Sequence, residues 1–210
     1  MKRALWISLF CLCYHFGVAA LVSVDSMRTA DLLFVVNHKG NAITSVTEGY
    51  DQLPIDHVAI FFRDTVNLSP CVVQADYHGV RICSISEFVS ECDSASCIIV
   101  VGRVQVPFQP QSSVANALSH VGKSYDFYFL PDDEEMYCSE LVQKCYVSAS
   151  GDLLFTTIPM TFRTASGELP DYWVKHYQKK GIPIPEGAPG SNPGELSRRP
   201  QVRILGELKP

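Results

Sequence analysis

MYCSELV, residues Met136–Val142, read together with DHVAIFF at Asp56–Phe62, decides the architecture of this chain. The first stretch follows an acidic turn (Asp132, Asp133, Glu134, Glu135) and sets one cysteine, Cys138, at the head of an apolar run. Leu141, Val142 and Cys145 recur three, four and seven positions later, the spacing of one helical face. The second stretch puts His57 at the mouth of an apolar strand. A thiol at a helix N-terminus beside an imidazole is held as thiolate, because backbone N–H groups and an imidazolium both favour the anion. Histidine comes first along the chain and cysteine later, and that order narrows the fold.

Working outward, DLLFVVN (Asp31–Asn37) is a continuous apolar run ending in turn residues and reads as a buried strand. Residues 39–52 are polar and read as a loop or a loop with a short helix. Val58–Phe62 is a second buried strand. CVVQA (Cys71–Ala75) and GVRIC (Gly79–Cys83) flank a turn and predict a hairpin. Ser84 caps a short helix through Val89, with Glu87 at capping-box spacing. Cys97–Val106 predicts another strand, and residues 112–121 a helix ending at Gly122. Tyr125–Leu130 is an aromatic cluster. Pro170–Lys180 reads as the last helix, and Ile182–Pro200 is too rich in proline and glycine for a regular element. Strands dominate the middle without a βαβ repeat, which predicts an α+β fold, an antiparallel sheet packed against helices.

The chain has 210 residues, 47% of them hydrophobic and 19% charged, enough for one globular domain with a real core. Its net charge of −5 and lack of a basic patch argue against nucleic acid or anionic membranes as partners. Lys2 and Arg3, the apolar run from Ala4 to Phe16, and the small residues Val18, Ala19 and Ala20 read as an export signal. Cleavage before Leu21 predicts a periplasmic or extracellular protein of residues 21–210 in one domain, with 182–210 as a proline- and glycine-rich C-terminal segment and no stable membrane span. Six cysteines remain after it: Cys71, Cys83, Cys92, Cys97, Cys138 and Cys145. An oxidising compartment would let some pair, Cys92 and Cys97 being nearest in sequence, but spacing alone does not give the connectivity. No Cys-x-x-Cys or His-x-x-x-His pair is present, and neither a metal nor a cofactor is implied.

On local sequence alone, Cys138 suits a buried, inert or disulfide-bonded thiol about as well as a nucleophile. A lone histidine such as His57 is commonly a hydrogen-bonded core residue. His78 competes with it, but its tight turn suits solvent; His38, His120 and His176 stand out less. An imidazole base needs a third group to fix its tautomer. Gln74, a polar residue inside the apolar run CVVQADY, needs a partner if it faces inward. Asp76, one pleat further on the same face, is the alternative orienter.

Taken together, the histidine strand, the polar residue seventeen positions later and YCSELV opening a late helix resemble the circularly permuted NlpC-type, papain-like cysteine hydrolases. The YiiX-like branch is the nearest in pattern. DLLFVV, AITSVT (Ala42–Thr47), GKSYDFYF (Gly122–Phe129) and GAPGSNPGELSRRP (Gly187–Pro200) fit the same pattern, so the resemblance spans nearly the whole mature chain. It implies a permuted papain-like fold with Cys138 as nucleophile, His57 as general base and Gln74 as orienter. It further implies that Tyr125 and Tyr137 lie near the substrate cleft. The branch often carries glutamate where this chain has Gln74, and a neutral amide stabilises an imidazolium less than a carboxylate does. The implied activity is amide hydrolysis through a thioester acyl-enzyme, on a small peptide or acylated amine, with a peptidoglycan fragment as the default. An amidase or acyltransferase acting on a lipid-like N-acyl substrate is the alternative, and a degenerate domain that only binds a cell-envelope ligand is the non-enzymatic one.

Overall fold

A computed structural model describes residues 20–209. The export signal read in residues 1–20 lies, but for Ala20, outside the described residues. The elements run β1 (Leu21–Ser23), β2 (Leu32–Val36), β3 (Ile55–Arg63), β4 (Pro70–Asp76), β5 (Gly79–Ser84), α1 (Ile85–Ala95), β6 (Ile98–Val104), α2 (Pro110–Ser119), α3 (Cys138–Cys145), β7 (Ile158–Pro159), α4 (Asp171–Lys180), β8 (Pro189–Gly190), α5 (Pro193–Ser197) and β9 (Val202–Lys209).

Seven strands form one sheet in the order β1-β9-β6-β2-β3-β4-β5. Every neighbouring pair is antiparallel except β1 with β9. The sheet is covered on both faces, which is why β2 reads as an unbroken apolar run: alternate side chains serve opposite cores. Leu32, Phe34 and Val36 join Val58, Ile60, Val73 and the inner faces of α2 and α3. Leu33 and Val35 join Ala59, Phe61, Val72 and the face of α1 made by Ile85, Phe88, Val89 and Cys92. A third, aromatic cluster of Tyr137, Met160, Phe162, Trp173 and Tyr177 sits beside α4.

Several boundaries differ from the sequence reading, each for a local reason. α1 runs to Ala95 rather than Val89, because Cys92 continues its apolar face and the helix stops only at Ser96, which adopts the left-handed conformation (φ 61°). Ser84 caps it as expected, accepting from the Glu87 N–H at 3.1 Å. α2 begins earlier, at Pro110, where the missing proline N–H costs nothing. The proline-rich tail is the main correction. It holds β8, and then α5, whose proline stands in the first turn and whose Asn192 accepts from the Glu195 N–H at 2.6 Å. Pro170–Lys180 is therefore not the last helix, and β9, which the sequence reading leaves unassigned, fills the sheet between β1 and β6.

One irregularity positions the site. β2 and β3 pair Val35 with His57 but Val36 with Ile55, so Asp56 is an extra residue in β3, a β-bulge. The bulge sets Ile55 and Val58 in the same core although they are three apart. It also turns the start of β3 away from regular alternation at His57.

Candidate active site

His57 lies at the end of β3 where that strand parts from β4. The ladder between them runs from Arg63 opposite Pro70 to Ile60 opposite Val73 and stops there. Beyond it, His57 Nε2 meets Gln74 Oε1 at 2.7 Å. Gln74 is buried (2% exposed), and its amide nitrogen donates to Cys83 Sγ at 3.8 Å. Both ends of the amide are thus engaged, and its oxygen is the end turned to the imidazole. Asp76 goes elsewhere: it holds Arg81 at 2.7 Å, and Arg81 also reaches Glu91 at 2.7 Å. His78 is exposed in the β4–β5 turn. That turn needs Gly79, whose φ is +95° and whose Cβ would lie 2.3 Å from the Lys123 carbonyl oxygen.

Cys138 is the first residue of α3, buried at 3% exposure, and α3 packs on both β3 and β4. With α3 packed there, the thiol stands near enough to the His57 ring to act on its charge. Burial of that ring pulls its pKa down, but hydrogen bonding and charge from Cys138, with smaller contributions from Gln74 and Asp56, outweigh this and hold it above its ordinary value. With Gln74 on Nε2, Nδ1 is the nitrogen left for the thiol proton. The arrangement has the parts of an ion-pair nucleophile: a thiol at a helix N-terminus, an imidazole biased towards its charged form, and an oriented amide behind it. The other five cysteines of the described residues are free, and burial pushes the thiols of Cys83, Cys92 and Cys145 up to about 12, which leaves them inert at neutral pH.

Beside Cys138 lies a cavity of about 50 Å³ walled by Ile43, Val46, Phe129, Tyr137, Phe162 and Trp173, among others. Ile43, Phe129 and Trp173 also border a second cavity of about 510 Å³, which Tyr125, Phe127, Tyr172 and His176 complete. No Lys, Arg, Asp or Glu lines either one. Tyr137 therefore stands on the inner wall and Tyr125 on the outer one. Burial, and next the charge of Cys138, push the Tyr125 phenol well above its usual range, so it stays a hydroxyl. Three buried polar atoms of the inner wall, Ser139 Oγ, Ser191 Oγ and Trp173 Nε1, have no hydrogen-bond partner among the described residues. Polar groups of this kind are satisfied by water or by a ligand.

Sequence reading did not find most of this wall. Phe129 has a positive φ of 51°, held there because the buried Asp126 carboxylate accepts from the N–H groups of Tyr128 (2.7 Å) and Leu130 (2.6 Å). Met160, Phe162, Ser191 and Asn192 come from the segments around β7 and β8, which read as no regular element, and Trp173 comes from α4, which was read as a helix without a role in the site. The tail does line the cleft. β8 pairs with β7, and Gly190 is tightly packed there: a Cβ would stand 2.3 Å from Met160 Sδ and 2.8 Å from the Tyr137 hydroxyl, so both side chains would have to shift.

The comparisons with known proteins agree with this fold. Residues 27–205 match a family model described as permuted papain-like amidase enzyme, YaeF/YiiX, C92 family. The crystal structure of a protein described as the metalloprotein yiiX, from Escherichia coli O157:H7, superposes with a TM-score of 0.69 at 22% identity. The alignment covers 87% of this chain and 98% of that one, and at such identity the likeness speaks for the fold. Among curated proteins none matches. Among the described residues, no group of three or more His, Cys, Asp or Glu side chains is arranged to hold a metal ion, and the Cys138–His57–Gln74 set has too few such donors. No helix of the described residues is long and apolar enough to cross a membrane.

Proposed function

Because the chain belongs to the permuted papain-like amidase family of YaeF and YiiX, a family of cysteine amidases, we propose that it cleaves an amide bond through Cys138, His57 and Gln74. Cys138 attacks the carbonyl carbon as thiolate, and its proton passes to His57 Nδ1. The imidazolium then gives that proton to the leaving amine, and a thioester remains on Cys138. Water, deprotonated by the same imidazole, resolves the thioester. Gln74 accepts from His57 Nε2–H throughout and fixes the ring. First-turn N–H groups of α3, which lack helical acceptors, are available to the oxyanion. The observation that carries this reading is the 2.7 Å contact between His57 and a buried Gln74 behind a thiol that opens a helix.

The lining of the cleft bears on the substrate. Peptidoglycan peptides carry several carboxylates and an amine, and the walls of both cavities are aromatic, aliphatic and neutral-polar. That favours an N-acylated amine with an apolar acyl part over a cell-wall peptide. We place the enzyme outside the cytoplasm, on the export signal read in residues 1–20.

Two measurements test the proposal. Iodoacetamide should alkylate Cys138 at pH 6 to 7 at least about 10-fold faster than an unperturbed thiol, whose pKa near 8.5 leaves only a few per cent thiolate there. A rate equal to that of an ordinary thiol sinks the activated nucleophile. Wild type and Cys138→Ala are then incubated with N-acyl amino acids and with muropeptides, and products are read by mass. Cleavage of muropeptides alone by the wild type overturns the acyl-amine reading.

A further inference from the structure

We propose that Asp56 is a positioning residue for this site: its carboxylate fastens the loop that walls the cleft to the strand that carries His57. Asp56 is the bulged residue of β3, so its side chain leaves the alternation of the sheet and points to the loop after β2. There its Oδ2 accepts from Asn37 Nδ2 at 2.9 Å and from Asn41 Nδ2 at 2.6 Å. Asn41 in turn organises the loop. Its Oδ1 accepts from the N–H groups of Ile43 (2.9 Å) and Thr44 (3.1 Å), and its own N–H donates to Thr44 Oγ1 at 2.8 Å. Ile43, Val46 and Thr47 of that loop stand across the inner cavity from Cys138. One carboxylate therefore sets the register between a wall of the cleft and the base.

The same charge acts on His57, its neighbour in sequence, and helps hold the imidazolium. The other groups facing the ring are the Cys138 thiol from α3 and the uncharged Gln74 amide from β4. Burial first, and the Asp56 charge after it, disfavour the anions of the Cys92 and Cys97 thiols. The fastening stands on the hydrogen bonds from Asn37 and Asn41, and the charge on His57 is a lesser effect of the same carboxylate. The inference rests on His57 being the base, and the two roles of Asp56 come apart by substitution.

The test compares Asp56→Asn, Asp56→Ala and Asn41→Ala with wild type. It reads the His57 imidazole titration by ¹H–¹⁵N NMR and amide exchange of residues 41–47. It also reads kinact and KI for alkylation of Cys138 by N-octyl iodoacetamide, located by peptide mass. Asp56→Asn keeps an acceptor but no charge, so the His57 pKa falls while KI stays within about 2-fold. Asp56→Ala lowers the same pKa, speeds exchange across 41–47 and raises KI by about 5-fold, the loss of one to two hydrogen bonds. Asn41→Ala raises KI and leaves the His57 titration in place. Wild-type exchange and KI in a folded Asp56→Ala overturn the proposal, and a His57 titration unmoved in Asp56→Asn removes the charge effect from it. Ordinary reactivity of wild-type Cys138 towards plain iodoacetamide would instead overturn the amidase reading, while the exchange and titration results still decide the role of Asp56.

Discussion

The proposed reacting end of the site and its proposed binding end are built differently. Cys138, His57 and Gln74 each stand on a regular element, α3, β3 and β4, that is wedged between other elements of the core. The cleft beside them is assembled from the 41–47 loop, the aromatic loop around Phe129, the β7–β8 pair and α4, with cores of their own in Tyr137, Met160, Phe162, Trp173 and Tyr177. Chemistry needs atoms held to fractions of an ångström, and packed strands and helices supply that. Recognition of an apolar group needs area and a few unpaired polar atoms, which loops from several places supply as well. The first region should therefore respond to single-atom changes, and the second to changes of volume.

The sharpest way to break this division is at Gln74. Gln74→Ala leaves His57 Nε2–H without its acceptor and frees the ring to turn. We expect kcat/KM on the best amide substrate to fall roughly 10²-fold, in the range that a correctly held acid–base group contributes. Gln74→Glu should restore most of that loss. Its carboxylate stabilises the imidazolium more than the amide does, so the basic limb of the pH–rate profile moves to higher pH. A loss below about 3-fold in Gln74→Ala would mean that packing alone orients His57. On the binding side, Gly190→Ala drives a methyl group into Met160 and Tyr137. KI for N-octyl iodoacetamide at Cys138 should rise about 10-fold, as for a wall displaced into an apolar pocket, with the iodoacetamide rate within about 2-fold of wild type. Equal losses with both reagents would show that the two regions move as one.

The same division explains what the sequence disclosed. Continuous apolar runs at Leu32–Val36 and Val58–Phe62 gave the central strands because both faces of the sheet are buried, and the i, i+3, i+4, i+7 spacing gave α3. Local chemistry gave Ser84 as a cap. The permuted papain-like architecture was legible because motifs on regular elements keep fixed spacings. Gln74 was legible as a polar residue in an apolar strand, yet locally Asp76 competed with it, since regular pairing would set Asp76 opposite His57, and only the family resemblance chose between them. His57 meets Gln74 just beyond the end of the β3–β4 ladder, where α3, far along the chain, packs on both strands. The cleft wall was the least legible part. Trp173, Met160 and Ser191 share no periodicity, and α5 forms in a proline-rich tail because Asn192 and Pro193 start a helix that Gly194 and Leu196 bury.

Glu140 joins the two regions, and its substitution has the smallest expected effect on the chemistry. It sits in the first turn of α3, 3% exposed, and accepts from the N–H of Tyr137, the residue that brings the cleft wall to the helix. Burial raises its carboxyl to about 7, against the lowering influence of Lys144 at 2.6 Å. The folded chain thus binds this proton more tightly than the unfolded chain, whose carboxyl titrates at 4.5. Stability contributed by the bound proton is full below that value and is lost as pH rises to about 7. His57, also raised, acts in the same direction at slightly higher pH. We therefore expect Tm to fall by roughly 5 °C between pH 5 and pH 8, the scale of one to two kcal/mol in a domain of this size. In Glu140→Gln the fall should shrink by at least half, while the iodoacetamide rate at Cys138 stays within about 2-fold of wild type. A Tm slope unchanged by the substitution would place the titration elsewhere in the core. A large loss of Cys138 reactivity would instead make this carboxyl part of the reacting end, because α3 would then need its first turn held from the cleft side to present the thiol.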